Sequence, residues 1–374
     1  MSLGGPGARS GLAREVGAPL LALLVSLLLG AVIIGLQGVN PLAAYGTLLS
    51  GALGSVNRLT ETLVIANPLV LTALAFALAF RAGLFNIGAE GQLQMGAIAA
   101  AVVGLFPLSS APWVMIPFSV AVAFASGALW GAVAGVLKTR LKVHEIVSTI
   151  MLNFVAINFV KYLAEDLLQE PTGSFPQTED IAEAMMFPSL LPPTRLHLGM
   201  VFTLLCVAAA YLLIRRSTLG YAMRMVGGNP EAARSGGIRV ERTVLWAMLL
   251  SGGIGGLAGL GEIAGLHHNL QHGFSPHYGF TGIAVALLAR SHPVAIVFSA
   301  FLFGAFEQGA GALERSHHVP APLVTILMGT IILFILAADL WRERGAGKTA
   351  RMLAFLRPRP LKNRPTAARP KGSA

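Results

Sequence analysis

The chain has 374 residues, of which 55% are hydrophobic and only 12% are charged, and its mean hydropathy is +0.70. Soluble domains carry about 25% charged residues, so the composition excludes an ordinary soluble protein. A net charge of +10 would suit nucleic-acid binding, but the basic residues lie in loops and tails between apolar runs. We therefore interpret them as the cytoplasmic charges of a membrane protein. The single cysteine, Cys206, excludes an intrachain disulfide and a cysteine-based metal site.

Long uncharged runs determine the predicted fold. A run of roughly 18 or more apolar residues is typical of a membrane-spanning helix. The pattern predicts an all-α membrane protein of about ten spans, near residues 17–36, 62–80, 90–106, 113–137, 146–164, 197–214, 243–265, 280–290, 294–313 and 321–340. The eighth of these segments is too short to cross about 30 Å of hydrocarbon at 1.5 Å per residue, which predicts a broken or re-entrant helix.

The charge of the loops predicts their side of the membrane. Three segments are basic, namely 138–142, the 215–242 loop and the chain after residue 342, whereas the connection at 165–183 is acidic. Because basic loops stay in the cytoplasm, ten spans with an internal N-terminus put all three basic segments inside and the acidic connection outside.

This topology predicts three parts of the chain. Residues 1–16 form a cytoplasmic N-terminus, 17–341 the membrane domain, and 342–374 a basic, proline-containing cytoplasmic tail that we expect to be disordered. The first apolar run lacks a clear small-residue cleavage site, so we expect a retained span rather than a removed signal peptide.

The 215–242 loop carries the signals of two short helices. Ser217 or Thr218 is a suitable cap for the first helix, and Gly227-Gly228 is expected to end it with the positive φ that helix ends often need. Asn229-Pro230-Glu231 then predicts a second helix start. Two capped helices form a rigid element, which indicates either docking of a soluble partner or contact with anionic lipid headgroups.

Polar residues at membrane depth mark candidates for a transport path, because such groups are costly in a bilayer. The 81–92 stretch combines three glycines with Asn86, Glu90 and Gln92. It indicates either a discontinuous helix facing a cavity or a plain cytoplasmic loop with Glu90 capping the next helix. Asn153 and Asn158 lie near the middle of the fifth span, where amide groups also link neighbouring helices.

Catalytic motifs are weak in this sequence. Gly347-Lys348-Thr349 resembles the end of a phosphate-binding loop, but Arg342 occupies the position where that loop requires its first glycine. The spans contain no Ser-His-Asp, HExxH or paired-acid pattern, so a membrane enzyme has little support. We expect no metal and no cofactor in the chain itself.

Five ordered segments together resemble a known family. They are RAGLFNIGAEGQ at 81–92, HEIVSTIMLN at 144–153, PQT at 176–178, GGNPEAARSGGI at 227–238 and GIAVALLARSHP at 282–293. The chain is similar to permease subunits of bacterial ABC importers for nucleosides, which belong with the ribose-type and branched-chain amino acid permeases. The resemblance implies about ten helices with broken segments, in the cytoplasmic membrane of a bacterium.

The resemblance also implies partners and site residues. It implies a separate ATPase that binds ATP, a second homologous permease and an extracytoplasmic substrate-binding lipoprotein. Residues 217–238 would touch the ATPase, and the side chains expected to matter are Arg224, Gly227, Gly228, Asn229, Pro230, Glu231 and Arg234. A nucleoside presents a flat base and a hydroxylated sugar, which suits aromatic and amide groups. The path residues expected on this ground are Phe85, Asn86, Asn153 and Phe154, and the polar 81–92 stretch adds Glu90 and Gln92.

Two alternatives remain open at this level. Sugar permeases of the ribose type share the same architecture, so a sugar substrate stays possible. A self-sufficient secondary transporter with ion coupling is the second alternative, and the scarcity of intramembrane carboxylates (Glu90, Glu262 and Glu307) argues against it.

Overall fold

The computed structural model describes residues 24–25, 27–171, 173, 175–320, 322–326, 328–330 and 333–334. The predictions for residues 1–16 and 342–374 lie outside the described residues, as does most of the predicted 321–340 span. The helices are α1 (Leu27–Leu36), α2 (Pro41–Leu53), α3 (Val56–Arg81), α4 (Ala89–Leu105), α5 (Pro112–Leu141), α6 (Glu145–Tyr162), α7 (Gly199–Arg216), α8 (Thr218–Gly228), α9 (Pro230–Ser235), α10 (Val240–Glu262), α11 (Tyr278–Leu288) and α12 (Pro293–His317).

The described chain is helical, as predicted, with isolated β-bridges as its only extended pairing. Six helices in this part are long and apolar enough to cross a membrane: α3, α5, α6 and α10 with their π-helical extensions to Leu167 and His267, α7 and α12. A seventh span results if α1 and α2 count as one. This number is below the predicted ten. The difference arises because α4 and α11 are short, the first span is bent, and the last lies largely outside the described residues.

Helix α2 was not predicted. The sequence from Val16 to Asn57 has no charge, so it offered only one predicted span, near 17–36. In the structure α1 and α2 meet at an angle of 111°. The break is at Asn40-Pro41, where the Asn40 side chain accepts a hydrogen bond from Leu42 N (3.0 Å) and Pro41 occupies the first helical position. This cap is a local signal that an uncharged run conceals.

Helix α10 lies at the centre of the fold and packs against α3, α4 and α5. Its glycine-rich sequence allows this, because small residues let the backbones of membrane helices approach closely. Gly256 of α10 faces Gly96 of α4 and Gly127 of α5, and a Cβ added to Gly256 would lie 3.1 Å from Gly127 Cα. The main hydrophobic core surrounds this crossing.

The acidic connection between α6 and α7 packs on the segment that follows α10. Backbone hydrogen bonds join Thr178 N to Leu270 O (3.0 Å), Ile181 N to His268 O (2.8 Å) and Phe187 N to Ala264 O (2.7 Å). These bonds close one end of the helix bundle. The opposite end carries α8, α9 and the arginines of the 215–242 loop, and we call it the basic face.

Candidate functional site

The 82–88 turn links α3 to α4 and lies inside the bundle. Gly83 has a φ of +75°, which the turn requires where the chain leaves α3. Asn86 is fully buried and donates to Ser251 Oγ (2.7 Å), which itself donates to the Ala75 carbonyl (2.6 Å). Ala75 lies six residues before the end of α3, at a depth of roughly 9 Å. The turn is therefore re-entrant rather than a surface loop.

The amide side chains near this turn are bound to one another and to the backbone. Asn86 Oδ1 accepts from Gly88 N (2.8 Å), and Asn86 Nδ2 also lies 3.3 Å from Gln92 Oε1. Asn153 Oδ1 accepts from Gly91 N (2.8 Å), and Asn153 Nδ2 donates to Ile87 O (2.9 Å). These bonds satisfy backbone groups at the start of α4, where a bilayer offers no water. In this conformation Asn86 and Asn153 hold the turn in place.

Glu90 holds the start of a different helix. Its carboxylate is fully buried and accepts from Gly279 N (2.7 Å), at the first turn of α11, and from Gln94 Nε2 (3.0 Å). The side chain of His277, the N-cap residue of α11, makes no cap hydrogen bond to that helix. A carboxylate at the positive end of a helix is stabilising. The alternative that Glu90 caps its own helix is wrong, because its carboxylate oxygens accept from Gly279 N and Gln94 Nε2 and not from the first N–H groups of α4.

Two helix N-termini thus meet within the bundle. The starts of α4 and α11 are in contact at Gly279, where an added Cβ would collide with the backbone of Glu90. Thr72 of α3 lies at the same point, since its hydroxyl shares one hydrogen between Pro68 O (2.9 Å) in its own helix and Tyr278 O (3.1 Å). Helix α11, with 11 residues, is too short to cross about 30 Å of hydrocarbon, whereas α4, with 17 residues, reaches the lower limit of a spanning helix. Helix starts inside the bundle are a usual setting of solute sites in membrane transporters.

The two aromatic residues predicted for the path lie in different surroundings. Phe85 is half-buried and packs edge-on against Phe76, with ring centroids 5.1 Å apart. Phe154 is 57% exposed and lies on the outer surface of α6. The structure brings Phe85, Asn86, Glu90, Gln92 and Asn153 together and leaves Phe154 apart from them.

The 215–242 loop folds as its capping signals predict. Ser217 Oγ accepts from Gly220 N (2.9 Å) at the start of α8. Asn229 Oδ1 accepts from Glu231 N (2.9 Å) and Ala232 N (3.1 Å), and Pro230 occupies the first position of α9. Both helices pack on the membrane helices through a second hydrophobic cluster, which includes Met223, Val226, Ala233, Leu84 and Met248.

Helix α8 touches the end of α3 and the start of the 82–88 turn. Gly227 lies so close that an added Cβ would be 2.9 Å from Gly83 N and would also collide with the Arg81 carbonyl. Gly228, the next residue, faces open space. Neither glycine has the positive φ that we expected, since α8 continues through both. The expected reason for Gly227 was therefore wrong, and its actual role is to permit close approach.

The remaining residues of the 217–238 segment that were predicted to touch the ATPase are exposed. Arg224 lies on α8, and Arg234 forms an ion pair with Glu241 at 2.7 Å. Pairs of this exposure contribute little to stability. The exposed residues of α8 and α9 form a charged, accessible surface.

Sequence reasoning missed three residues of the site: Thr72, Ser251 and Gly279. Thr72 and Ser251 are isolated hydroxyl residues in apolar runs, and a hydroxyl at membrane depth signals a hydrogen-bond partner. Gly279 carried no such signal, because its backbone N–H binds a residue 189 positions away.

Comparison with known proteins agrees with this architecture. A family model described as the permease component of the branched-chain amino acid transport system matches residues 58–336. The guanosine ABC transporter permease protein NupP of Bacillus subtilis is 36% identical over 85% of this chain and 92% of its own length. The glucose ABC transporter permease protein TsgB13 of Haloferax volcanii is 35% identical over 88% and 90% respectively. The nucleoside ABC transporter permease protein NupB of Lactococcus lactis is 33% identical over 86% and 91%.

These matches define a class of protein, the membrane-embedded permease subunits of ABC transporters, which are transport components rather than enzymes. The chain belongs to the family of branched-chain amino acid transport system permease components. Membership implies an ATPase partner, which binds the ATP, and a substrate-binding partner.

Truncation of Asn153 is expected to loosen the re-entrant turn. Asn153→Ala leaves Gly91 N and Ile87 O unpaired, at about 1–3 kcal/mol for each buried group. Asn158→Ala is the matched control, since Asn158 is exposed on the same helix and bonds only to Phe154 O. We expect a lower apparent melting temperature in detergent for the first variant alone. Equal melting temperatures for the two variants would contradict the assignment.

Proposed function

We propose that this chain forms the translocation path for nucleosides in an ATP-driven importer. Two of the relatives named above carry guanosine or nucleoside in their names, at 36% and 33% identity over most of the chain. The character of the buried turn supports a neutral solute. Around it lie amides and aromatic rings, and its two carboxylates already have partners: Glu90 accepts from Gly279 N and Gln94, and Glu145 pairs with Lys138 and binds the Phe85 backbone.

A sugar is the second candidate substrate. The glucose permease of Haloferax volcanii is as similar to this chain as the nucleoside permeases are. A sugar and a nucleoside share hydroxyl groups but differ in the flat base. An aromatic cluster of Phe76, Phe80 and Phe85 lies beside the turn. It favours a nucleoside over a sugar, because the flat base can stack on an aromatic ring.

Transport measurements distinguish a nucleoside from a sugar as the substrate, and ATP from a proton gradient as the energy source. The chain is reconstituted with its ATPase, second permease and binding protein, and uptake of labelled guanosine, uridine, ribose and glucose is compared. We expect ATP-dependent uptake with a preference for nucleosides of about tenfold or more, and no uptake without the ATPase. Preferential uptake of glucose or ribose would favour the sugar assignment. Uptake that needs a proton gradient instead of ATP would refute the importer assignment.

We infer that the full membrane domain crosses the bilayer about ten times, with α4 and α11 as partial spans and the basic face in the cytoplasm. Both termini would then be cytoplasmic, and the acidic connection would face the binding lipoprotein. The arginines of the basic face support this orientation, because basic loops stay inside. One complete helix, α7, separates Glu179 from Arg224.

Cysteine labelling tests the orientation. Glu179→Cys and Arg224→Cys are made in a Cys206→Ser background, since Cys206 is the only native cysteine. Both positions are exposed. A membrane-impermeant thiol reagent is expected to label position 179 in intact cells and position 224 only after permeabilisation. The reverse pattern would invert the topology and remove the docking assignment with it.

We further propose that α8 and α9 dock on the ATPase and transmit its motion to the re-entrant turn. Their rigid caps and the contact of Gly227 with the Arg81–Gly83 backbone support this role. A push on α8 would reach the end of α3 and the turn directly. A second permease, identical or paralogous, would supply the other wall of the path.

Adjacent glycines provide a matched test of coupling. Gly227→Val introduces a clash with the Arg81 carbonyl and Gly83 N, at about 1–3 kcal/mol for overpacking, and is expected to lower uptake. Gly228→Val places the same side chain in open space and should retain wild-type uptake. Membrane insertion and substrate-stimulated ATP hydrolysis are measured for both. Normal uptake by the Gly227 variant, or an equal loss in both variants, would count against the proposed contact.

A further inference from the structure

Two adjoining cavities open between α8 and the ends of the membrane helices at the basic face. Their volumes are about 370 and 290 Å³. Arg81 and Arg224 line both of them. We call the pair the arginine cavity, and its other lining residues include Arg215, Arg290, Ser291, His292 and Pro293.

The arginine cavity gathers the positive charge of three side chains, Arg81, Arg215 and Arg224. Arginines line it from α3, α7, α8 and the α11–α12 connection, and no carboxylate is among the lining residues. Within the described ranges, no acidic side chain lies within ion-pair distance of Arg81, Arg215 or Arg224. Arg81 Nη2 donates to Ser291 O (3.0 Å), but its Nε is buried without a hydrogen-bond partner. A buried donor of a charged group is costly to leave unpaired.

A helix N-terminus also points to this cavity. Helix α12 begins at Pro293, and its N-cap residue His292 makes no side-chain cap hydrogen bond. Both residues line the cavity. The positive end of a helix with free N–H groups attracts anions, and phosphate is the commonest of them. An uncapped N-terminus therefore coincides with the arginines.

A competing explanation is that these arginines stabilise the negative C-terminal ends of helices. Arg81 and Arg215 lie in the last turns of α3 and α7, where positive charge is stabilising. That explanation does not cover Arg224, which lies within α8, or the uncapped start of α12. Arg81, Arg215 and Arg224 converge from three helices on a space beside the start of α12, and this favours an occupant of opposite charge.

We propose that the arginine cavity binds a phosphate-bearing anion. Arginine and a helix N-terminus both match the geometry of phosphate oxygens. Leu212 and Val294, which follow the lining residues Tyr211 and Pro293 in the chain, are 56% and 45% exposed, so apolar surface for the acyl chains of a phospholipid is available nearby. Basic pockets between membrane helices bind anionic headgroups in this way. The site does not depend on which solute is transported.

Binding to the purified full-length chain tests the proposal. Native mass spectrometry in a neutral detergent compares phosphatidylglycerol with diacylglycerol, which has the same acyl chains but no phosphate. Inorganic phosphate, against chloride at equal ionic strength, is the free-anion arm, read as thermal stabilisation and as displacement of the lipid. The variants are Arg215→Gln and the double variant Arg81→Gln/Arg215→Gln. Arg216→Gln is the matched control, because Arg216 is exposed beside Arg215 and does not line the cavity.

We expect the double variant to weaken phosphatidylglycerol binding by about tenfold or more, and Arg216→Gln to change it by less than about twofold. A variant-sensitive effect of phosphatidylglycerol alone identifies a lipid headgroup as the occupant. A variant-sensitive effect of inorganic phosphate identifies a free anion. Equal affinities for phosphatidylglycerol and diacylglycerol without any effect of phosphate would overturn the proposal. Equal losses of phosphatidylglycerol binding in Arg215→Gln and Arg216→Gln would also overturn it. Because Arg215 is exposed, its replacement is not expected to disturb folding.

Discussion

The start of a helix leaves backbone N–H groups without partners, and inside a bilayer no water is present to bind them. The middle of this protein is arranged around that constraint. Asn153 binds the N–H of Gly91 at the start of α4, and Glu90 binds the N–H of Gly279 at the start of α11. Each acceptor comes from a different helix, so neither start is stable alone. The starts of α4 and α11 and helix α6 consequently form one unit.

This unit continues to the basic face through packed backbone. Helix α11 ends close to Ser291, whose carbonyl binds Arg81 at the end of α3, and Gly227 of α8 rests on the same Arg81–Gly83 backbone. Contiguous packing of this kind gives a displacement of α8 a direct route to the two helix starts. Coupling itself requires that the route has two arrangements, which is a property of the assembled transporter. The geometry restricts where such a change would act: the 82–88 turn and the ends of α3 and α11.

Local signals in the sequence were sufficient for some of these features and not for others. Ser217 and Asn229 cap the helices they were expected to cap, because a cap depends on residues two or three positions away. The length of the apolar run near 280–290 correctly predicted that α11 is short. The role of Gly227 did not follow, since close approach to Gly83 depends on tertiary packing. The bond from Glu90 to the start of α11 did not follow either, for the same reason, and α2 was concealed within an uncharged run.

The saturation of the buried polar groups has a consequence for transport. Asn86, Asn153 and Glu90 spend their hydrogen-bonding capacity within the chain, so in this conformation they offer little to a solute. An importer that receives its cargo from a high-affinity binding protein has no use for a second tight site, because tight binding in the path would slow release. Polar groups that are already paired within the chain are compatible with weak binding of a solute. The exposed face of α6 that carries Phe154, 57% exposed, is then free to contact lipid or a second permease.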